Sequence, residues 1–336
     1  MRAVIIGAGA IGGLTAAFTT KGGADVTLVC HHRSTAEKIR KEGLQITGAR
    51  GRICHPMPAV SDIHQLHGQY DQILIATKAY DLPAAAQQAL PYLKPDGLMT
   101  CLQNGMCLDT LEEIAGVGRA AAGVVSWSCT MVGDAQLLFT GEGTFTIGRR
   151  DGRKDARIGE LRDLLRYAAP VCLSDDIEAD LYSKLIINSG ITCGGALAGQ
   201  KLGEMLKSRA ARRFFVEIVR EDMALAEAMG LRVPPFGGKL DYYKFIQGTG
   251  VLADLRRNTV LRAVGARYRN LTSSSLTSLR RGRPTEVAYL NGWIVRKAAE
   301  HGVQVPVNAA VVRLIREIEA GQRQSSPANI AQVLNG

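Results

Sequence analysis

Two rhythms of apolar and polar positions divide this chain. In the first half, short apolar runs rich in β-branched residues alternate with amphipathic stretches. "AVIIG" near the N-terminus, "DVTLVC", "DQILIAT" and "GLMTCL" read as buried strands. Between them, "LTAAFTTKG" reads as a helix ending near Gly22 and Gly23, and "STAEKIRKEGL" as a helix capped by Ser34 or Thr35. "LPAAAQQALPYL" reads as a helix bent or ended by Pro91. Strand and helix in alternation predict an α/β fold with a parallel, doubly wound sheet. "GVVSWSCTMV", "AQLLFTG" and "GTFTIGRR" are further β segments expected to extend that sheet.

Near residue 174 the rhythm becomes helical. "DDIEADLYSKLIINSGITCGGAL", "RAARRFFVEIVREDMALAEAMG", "EVAYLNGWIVRKAAEHG" and "NAAVVRLIREIEAG" all carry apolar residues at helical spacing. "RVPPFGGK" is a loop between helices. The pattern predicts a first domain over 1–173, an all-helical second domain over 174–325 and a weakly determined tail over 326–336. A chain of 336 residues is long enough for two such domains.

Composition narrows the function classes. Lys and Arg exceed Asp and Glu by 41 to 31, a net charge of +10. The excess is spread along the chain and forms no recognisable nucleic-acid module, so attraction of small anions is the milder reading and no nucleic-acid partner is expected. No apolar run is long enough to span a membrane, and glycines interrupt the apolar start, so neither membrane insertion nor a signal peptide is expected. The seven cysteines are scattered with no C-x-x-C, which fits free thiols in a reducing cytoplasm.

The candidate chemistry begins at the N-terminus. Gly7, Ala8, Gly9, Ala10, Ile11 and Gly12 form G-x-G-x-x-G between a predicted strand and a predicted helix. In that context Gly7 serves the tight turn, Gly9 the approach of a pyrophosphate, and Gly12 close helix–strand packing. A site for NAD usually has an acid at the end of the second strand. Here that strand runs into His31, His32 and Arg33. Arg33 can pair with a 2′-phosphate, so the local chemistry favours NADP over NAD. His31 and His32 have no third ligand nearby in sequence, and no metal is expected.

Several motifs then fall in order: "TKAYD" with Lys78, "LQNGM" with Asn104, "YSKLIINSGI" with Lys184 and Asn188, and "SSSLTSLRRGRPTEVAYLNGWIV" with Ser274 and Glu286. By this ordered set the chain resembles the ketopantoate reductase (2-dehydropantoate 2-reductase) family over residues 1 to 320. The resemblance implies a Rossmann domain followed by a helical domain, with the active site in the cleft between. It also implies NADPH-dependent reduction of a 2-oxo acid, ketopantoate foremost, in pantothenate and coenzyme A biosynthesis. It assigns Lys184 as the catalytic lysine and Glu286 as the active-site glutamate. Lys78 falls near cofactor and substrate, Asn104 in the substrate or nicotinamide region, and Ser274 on the substrate carboxylate, with Ser273 and Ser275 leaving that register open by one.

The residue types suit these roles. A lysine beside a ketone can polarise it and donate a proton. At helical spacing Lys184, Asn188 and Thr192 share one side, where amide and hydroxyl can orient substrate oxygens. Read alone, Glu286 is a first-turn glutamate after Pro284, Asn104 a turn residue before Gly105, Lys78 a surface lysine, and the triple serine a helix cap. Departures from the family pattern are Thr192, where the best-known members have a second asparagine, and Ser278, where Asp is frequent. The 236–271 stretch is also longer than in the shortest members. An opine-type or other 2-hydroxy acid dehydrogenase of the same architecture, and a non-catalytic NADPH-binding regulator, stand as alternatives. A homodimer is left open.

Overall fold

The computed structural model describes residues 1–335. The chain forms two compact units. Met1–Gln103 and Cys107–Asp180 make the first, and Asn104–Met106 joins the chain from Leu181 onward in the second.

The first unit holds twelve strands: β1 (Arg2–Ile6), β2 (Asp25–Val29), β3 (Leu44–Gly48), β4 (Ile53–His55), β5 (Ala59–Val60), β6 (Tyr70–Ile75), β7 (Leu93–Cys101), β8 (Ala120–Val125), β9 (Ser128–Gly133), β10 (Gln136–Gly141), β11 (Phe145–Gly148) and β12 (Val171–Leu173). Eight of them form one sheet in the order β12-β11-β8-β7-β6-β1-β2-β5. Every pairing in it is parallel except β11 with β8. The runs read as buried strands are buried throughout: Val4, Ile5, Leu28, Ile73, Leu74 and Leu98 have no exposure. Parallel strands covered on both faces require such continuous apolar runs.

Two expectations about the first unit are corrected. β9 and β10 do not extend this sheet. They form a second, four-stranded sheet, β4-β3-β10-β9, with two strands from 44–55 that the apolar pattern did not signal. β10 alternates, burying Leu137 and Phe139 and exposing Leu138 and Thr140, the mark of a sheet covered on one face only. The second correction is the helix Arg33–Glu42, whose N-cap is His32 rather than Ser34 or Thr35. The Thr35 hydroxyl instead donates to Asp134 Oδ1 at 2.6 Å.

The second unit is helical around one apolar core containing Phe214, Phe215, Trp293, Leu314 and Ile315. Its helices include Ile177–Ile187 (which starts in the first unit), Arg209–Ala228, Val251–Arg267, Ser274–Arg280 and Pro306–Glu319. The expected tail is a helix, Pro327–Asn335, with Ile330 and Val333 buried in that core. Its start is tied down by Ser326 N–H and Asn329 Nδ2, which both donate to Leu197 O, at 2.8 and 3.0 Å. The "EVAYLNGW" helix is also shorter than its periodicity suggests. Val287–Tyr289 is a 3-10 turn, and the α-helix runs only from Asn291 to Glu300, because Leu290 takes non-helical angles (φ −103°, ψ −102°). No helix among the described residues is long and apolar enough to cross a membrane.

Candidate active site

The dinucleotide turn is built by the first unit. β1 lies between β2 and β6, so the chain reverses its direction across the sheet there, and ligands of open α/β sheets bind at such a switch point beyond the strand ends. Gly7 has φ +109°, and a Cβ on it would stand 2.8 Å from Ala76 O. A Cβ on Gly12 would stand 2.0 Å from Gly7 O, so only glycine lets the helix Ala10–Lys21 pack this closely on the turn. At Gly9 nothing lies within 4 Å of an added Cβ, so that side of the turn is open. The helix has no side-chain cap and no acid in its first turn. The first N–H groups of a helix have no intrahelical partner, and here Ala8, Ala10 and Ile11 are half-buried around them. These features fit a phosphate-bearing cofactor.

The end of β2 carries no acid up to Arg33. The Arg33 side chain is 85% exposed and its Nε donates to Glu37 Oε1 at 2.8 Å. The rings of His31 and His32 meet edge to face with centroids 4.6 Å apart. After β6, Lys78 is half-buried at the N-cap of a 3-10 turn, Ala79–Asp81. Beside it, Thr77 Oγ1 accepts from Gln103 Nε2 at 3.3 Å. Gln103 is buried, and its Oε1 makes no hydrogen bond; the motif reading passed over it.

The second unit brings the other candidates together. Lys184 lies half-buried in Ile177–Ile187, flanked by the buried Ser183 and Leu185. Burial pulls its ammonium from 10.5 down to about 8, while the charge of the nearby Glu286 pulls the other way. Glu286 is itself buried, at the N-cap of the 3-10 turn Val287–Tyr289. Its position is fixed on both sides. Thr285 N–H donates to Glu319 Oε1 at 2.6 Å, Val287 N–H donates to Thr285 Oγ1 at 3.1 Å, and Tyr289 N–H donates to Glu286 O at 2.9 Å. The turn after Asn104 packs on the same segment: a Cβ on Gly105 would stand 2.5 Å from Tyr289 O.

Sequence spacing treats 175–197 as one helical stretch, which the structure corrects. Asn188–Thr192 is a π-helical turn between Ile177–Ile187 and Cys193–Ala198. Such turns widen the helix by one residue and are frequent at functional sites. Gly190 permits it here, since a Cβ there would lie 2.4 Å from the Phe215 ring. Within the turn Thr192 Oγ1 donates to Asn188 Oδ1 at 3.2 Å. The Asn188 Nδ2 donor is buried and makes no hydrogen bond, as a group waiting for a ligand oxygen would be.

The three serines separate by role. Ser273 is the N-cap of Ser274–Arg280 and accepts from Leu276 N–H, Ser274 is exposed, and Ser275 is buried beside Cys193. Burial raises the Cys193 thiol above its usual range, and the Glu286 charge adds to this. Cys193 thus lies close to Glu286 and Ser275, a neighbour that scattered cysteine positions gave no means to find.

The family description "Ketopantoate reductase PanE/ApbA" matches residues 3–152, and "Ketopantoate reductase PanE/ApbA C terminal" matches 176–319. A 2-dehydropantoate 2-reductase of Archaeoglobus fulgidus is 27% identical over 327 residues, covering 95% of this chain and 98% of its own length. One of Halobacterium salinarum is 26% identical over 318 residues, covering 94% and 98%. Among solved structures, a PanE/ApbA family ketopantoate reductase from Ralstonia eutropha superposes with TM-score 0.80 at 26% identity, covering 96% of this chain and 99% of that one. A D-mandelate dehydrogenase with NADH and anilino(oxo)acetate has the same fold, with TM-score 0.82 at 22% identity and the same coverage. With both halves matched in order, this chain belongs to the ketopantoate reductase family of oxidoreductases.

Proposed function

We propose that this protein reduces a 2-oxo acid to the 2-hydroxy acid with NADPH, and that ketopantoate is its substrate. The observation carrying the reading is Lys184, half-buried near Glu286 with its ammonium brought down to about 8. An ammonium in that range is charged at neutral pH and gives up its proton far more readily than an exposed lysine. The names of the relatives support ketopantoate, since the Archaeoglobus and Halobacterium proteins are 2-dehydropantoate 2-reductases.

When bound, NADPH supplies the hydride that reaches the carbonyl carbon. Gly7 to Gly12 and the start of Ala10–Lys21 hold its pyrophosphate, Arg33 holds the 2′-phosphate, and Lys78 and Asn104 serve the nicotinamide end. Lys184 polarises the ketone, balances the charge growing on oxygen and delivers the proton to it. Glu286 holds the ammonium in place. The Asn188 amide, with Thr192 fixing its orientation, and Ser274 bind the oxygens of the oxo acid.

A related 2-oxo acid is the second reading. It is favoured by Thr192, whose short hydroxyl is spent on Asn188 where the best-known family members carry an asparagine. Oxidation of NADPH and NADH is to be followed with ketopantoate and a panel of other 2-oxo acids, with and without amines. Fastest turnover of ketopantoate with NADPH supports the first reading, and preference for another oxo acid the second. A requirement for an amine marks an opine-type enzyme. Cofactor binding with no turnover on any substrate contradicts both readings.

A further inference from the structure

Four fully buried polar side chains, none of them given a catalytic role, lie in the second unit: Ser189, Asp222, Asn291 and Asn308. Burying such groups is costly unless they are paired, and a core this apolar has no packing need for them. Their hydrogen bonds run in one direction. Asn291 Nδ2 donates to Ser189 O, a carbonyl of the π turn, at 3.3 Å, and to Asn308 Oδ1 at 2.8 Å. Asn308 Nδ2 donates to Asp222 Oδ1 and to Glu221 Oε2, each at 2.9 Å. Glu221 also takes the backbone N–H groups of Val307 and Asn308, at 2.7 and 2.9 Å, which fixes the start of Pro306–Glu319.

The same Asp222 holds the helix before the π turn. Its backbone carbonyl accepts from Tyr182 Oη at 2.6 Å. Lys184 therefore lies between two anchors, Tyr182 and Ser189, and both lead back to Asp222. Asn188, with its unpartnered amide donor, directly precedes the second anchor. Burial lifts the Asp222 carboxyl well above the usual carboxylate range, against the pull of the Asn308 hydrogen bond.

We propose that Asn291 and Asn308, anchored on Asp222, are positioning residues that clamp the π turn and so set where the Lys184 ammonium and the Asn188 amide meet the substrate. The clamp rests on the functional reading above for its catalytic meaning. Its structural content can be read without turnover. Asn291→Asp keeps the side-chain size and turns the donor facing Ser189 into an oxygen. Asn308→Asp breaks the next link in the same way.

In the full-length, NADPH-saturated protein, either variant is expected to lower kcat roughly ten- to hundredfold and to raise KM for the oxo acid, because a small misplacement of reacting groups costs this much. The Kd for NADPH is expected to stay within about twofold, the phosphate turn lying in the first unit. The second readout is the titration of Lys184, followed by NMR after reductive 13C-methylation. It is expected near pH 8 in the parent and about one pH unit higher in the variants, as water reaches the loosened ammonium. Folded variants with the parent's kcat, KM and Lys184 titration would overturn the clamp. So would failure of Asn291→Asp, Asn308→Asp and the uncharged Asn291→Ser all to fold, which would assign these residues to stability alone. A parent that turns over no 2-oxo acid would defeat the functional reading, and the Lys184 titration would still judge the clamp.

Discussion

The glycine turn after β1 and the π turn after Ile187 both hold backbone in a shape that a larger side chain would forbid, yet they are held by different means. At Gly7–Gly12 the constraint is steric and local: Gly7 and Gly12 let helix and strand close on each other, and the first N–H groups of the helix have no side-chain cap. At Asn188–Thr192 sterics supply only Gly190 against Phe215. The rest comes from side chains distant in sequence, Asp222, Asn291 and Asn308, and the groups presented are themselves side chains. A site for a common cofactor can be encoded in six consecutive residues. The proposed substrate site draws on several helices, and its parts can be changed one at a time.

That contrast can be broken by substitution, and the largest effect is expected at Lys184. Lys184→Ala should lower kcat about 10²–10⁴-fold, the usual share of general acid catalysis, while NADPH affinity by fluorescence titration stays near the parent's. Lys184→Arg should not restore turnover, since a guanidinium keeps its proton. In the glycine turn the two positions should separate. Gly12→Ala forces a Cβ to 2.0 Å from a backbone oxygen, so the melting temperature should drop by several degrees, as for a loss of about 1–3 kcal/mol. Gly9→Ala meets nothing in the protein, so it should melt like the parent and bind NADPH at least about tenfold more weakly, because only the ligand meets the new methyl. Equal loss of melting temperature in both would refute the steric account.

Arg33→Ala should weaken NADPH about tenfold and leave NADH nearly unchanged, as loss of one charge-assisted contact to the 2′-phosphate requires. Equal affinity of the parent for both cofactors would remove the basis for it. The smallest effect is expected at Ser274→Ala, a several-fold rise in KM for the oxo acid without change in NADPH affinity. If Ser275→Ala does this instead, the buried serine beside Cys193 is the substrate contact and the register moves by one.

The legibility of the sequence follows the same division. Parallel strands buried on both faces announce themselves as apolar runs, so β1, β2, β6 and β7 were readable, as was the glycine turn between β1 and its helix. β3 and β4 were not, because such short strands carry too few buried residues to make a pattern: β3 buries only Leu44 and Ile46, and of β4 only Ile53 and His55 are even half-buried. Residues 136–141 showed their β character but not their partner, since pairing of β10 with β3 joins segments about ninety residues apart. The tail misled through polar residues that cap and tether its helix. Lys184, Asn188 and Glu286 are singled out by the ordered motifs of the family. The π turn was not, because helical periodicity assumes the bond pattern that this turn breaks, and Asn291, Asn308 and Asp222 read as ordinary helix polarity until their common burial is seen.

The central claim is that Lys184 supplies the proton to the reduced carbonyl. It is tested most directly by the pH dependence of kcat for ketopantoate reduction at saturating NADPH, in the parent and in Lys184→Ala. The depressed ammonium is charged below its value and neutral above it. The donor is therefore present on the acid side of pH 8 and lost on the alkaline side. The parent should hold a plateau below about pH 8 and fall about tenfold per pH unit above it, with the residual activity of Lys184→Ala flat through that range. An alkaline limb that survives unchanged in a folded, NADPH-loaded Lys184→Ala protein would contradict the claim and pass the acid role to another group, with Lys78 the next to replace.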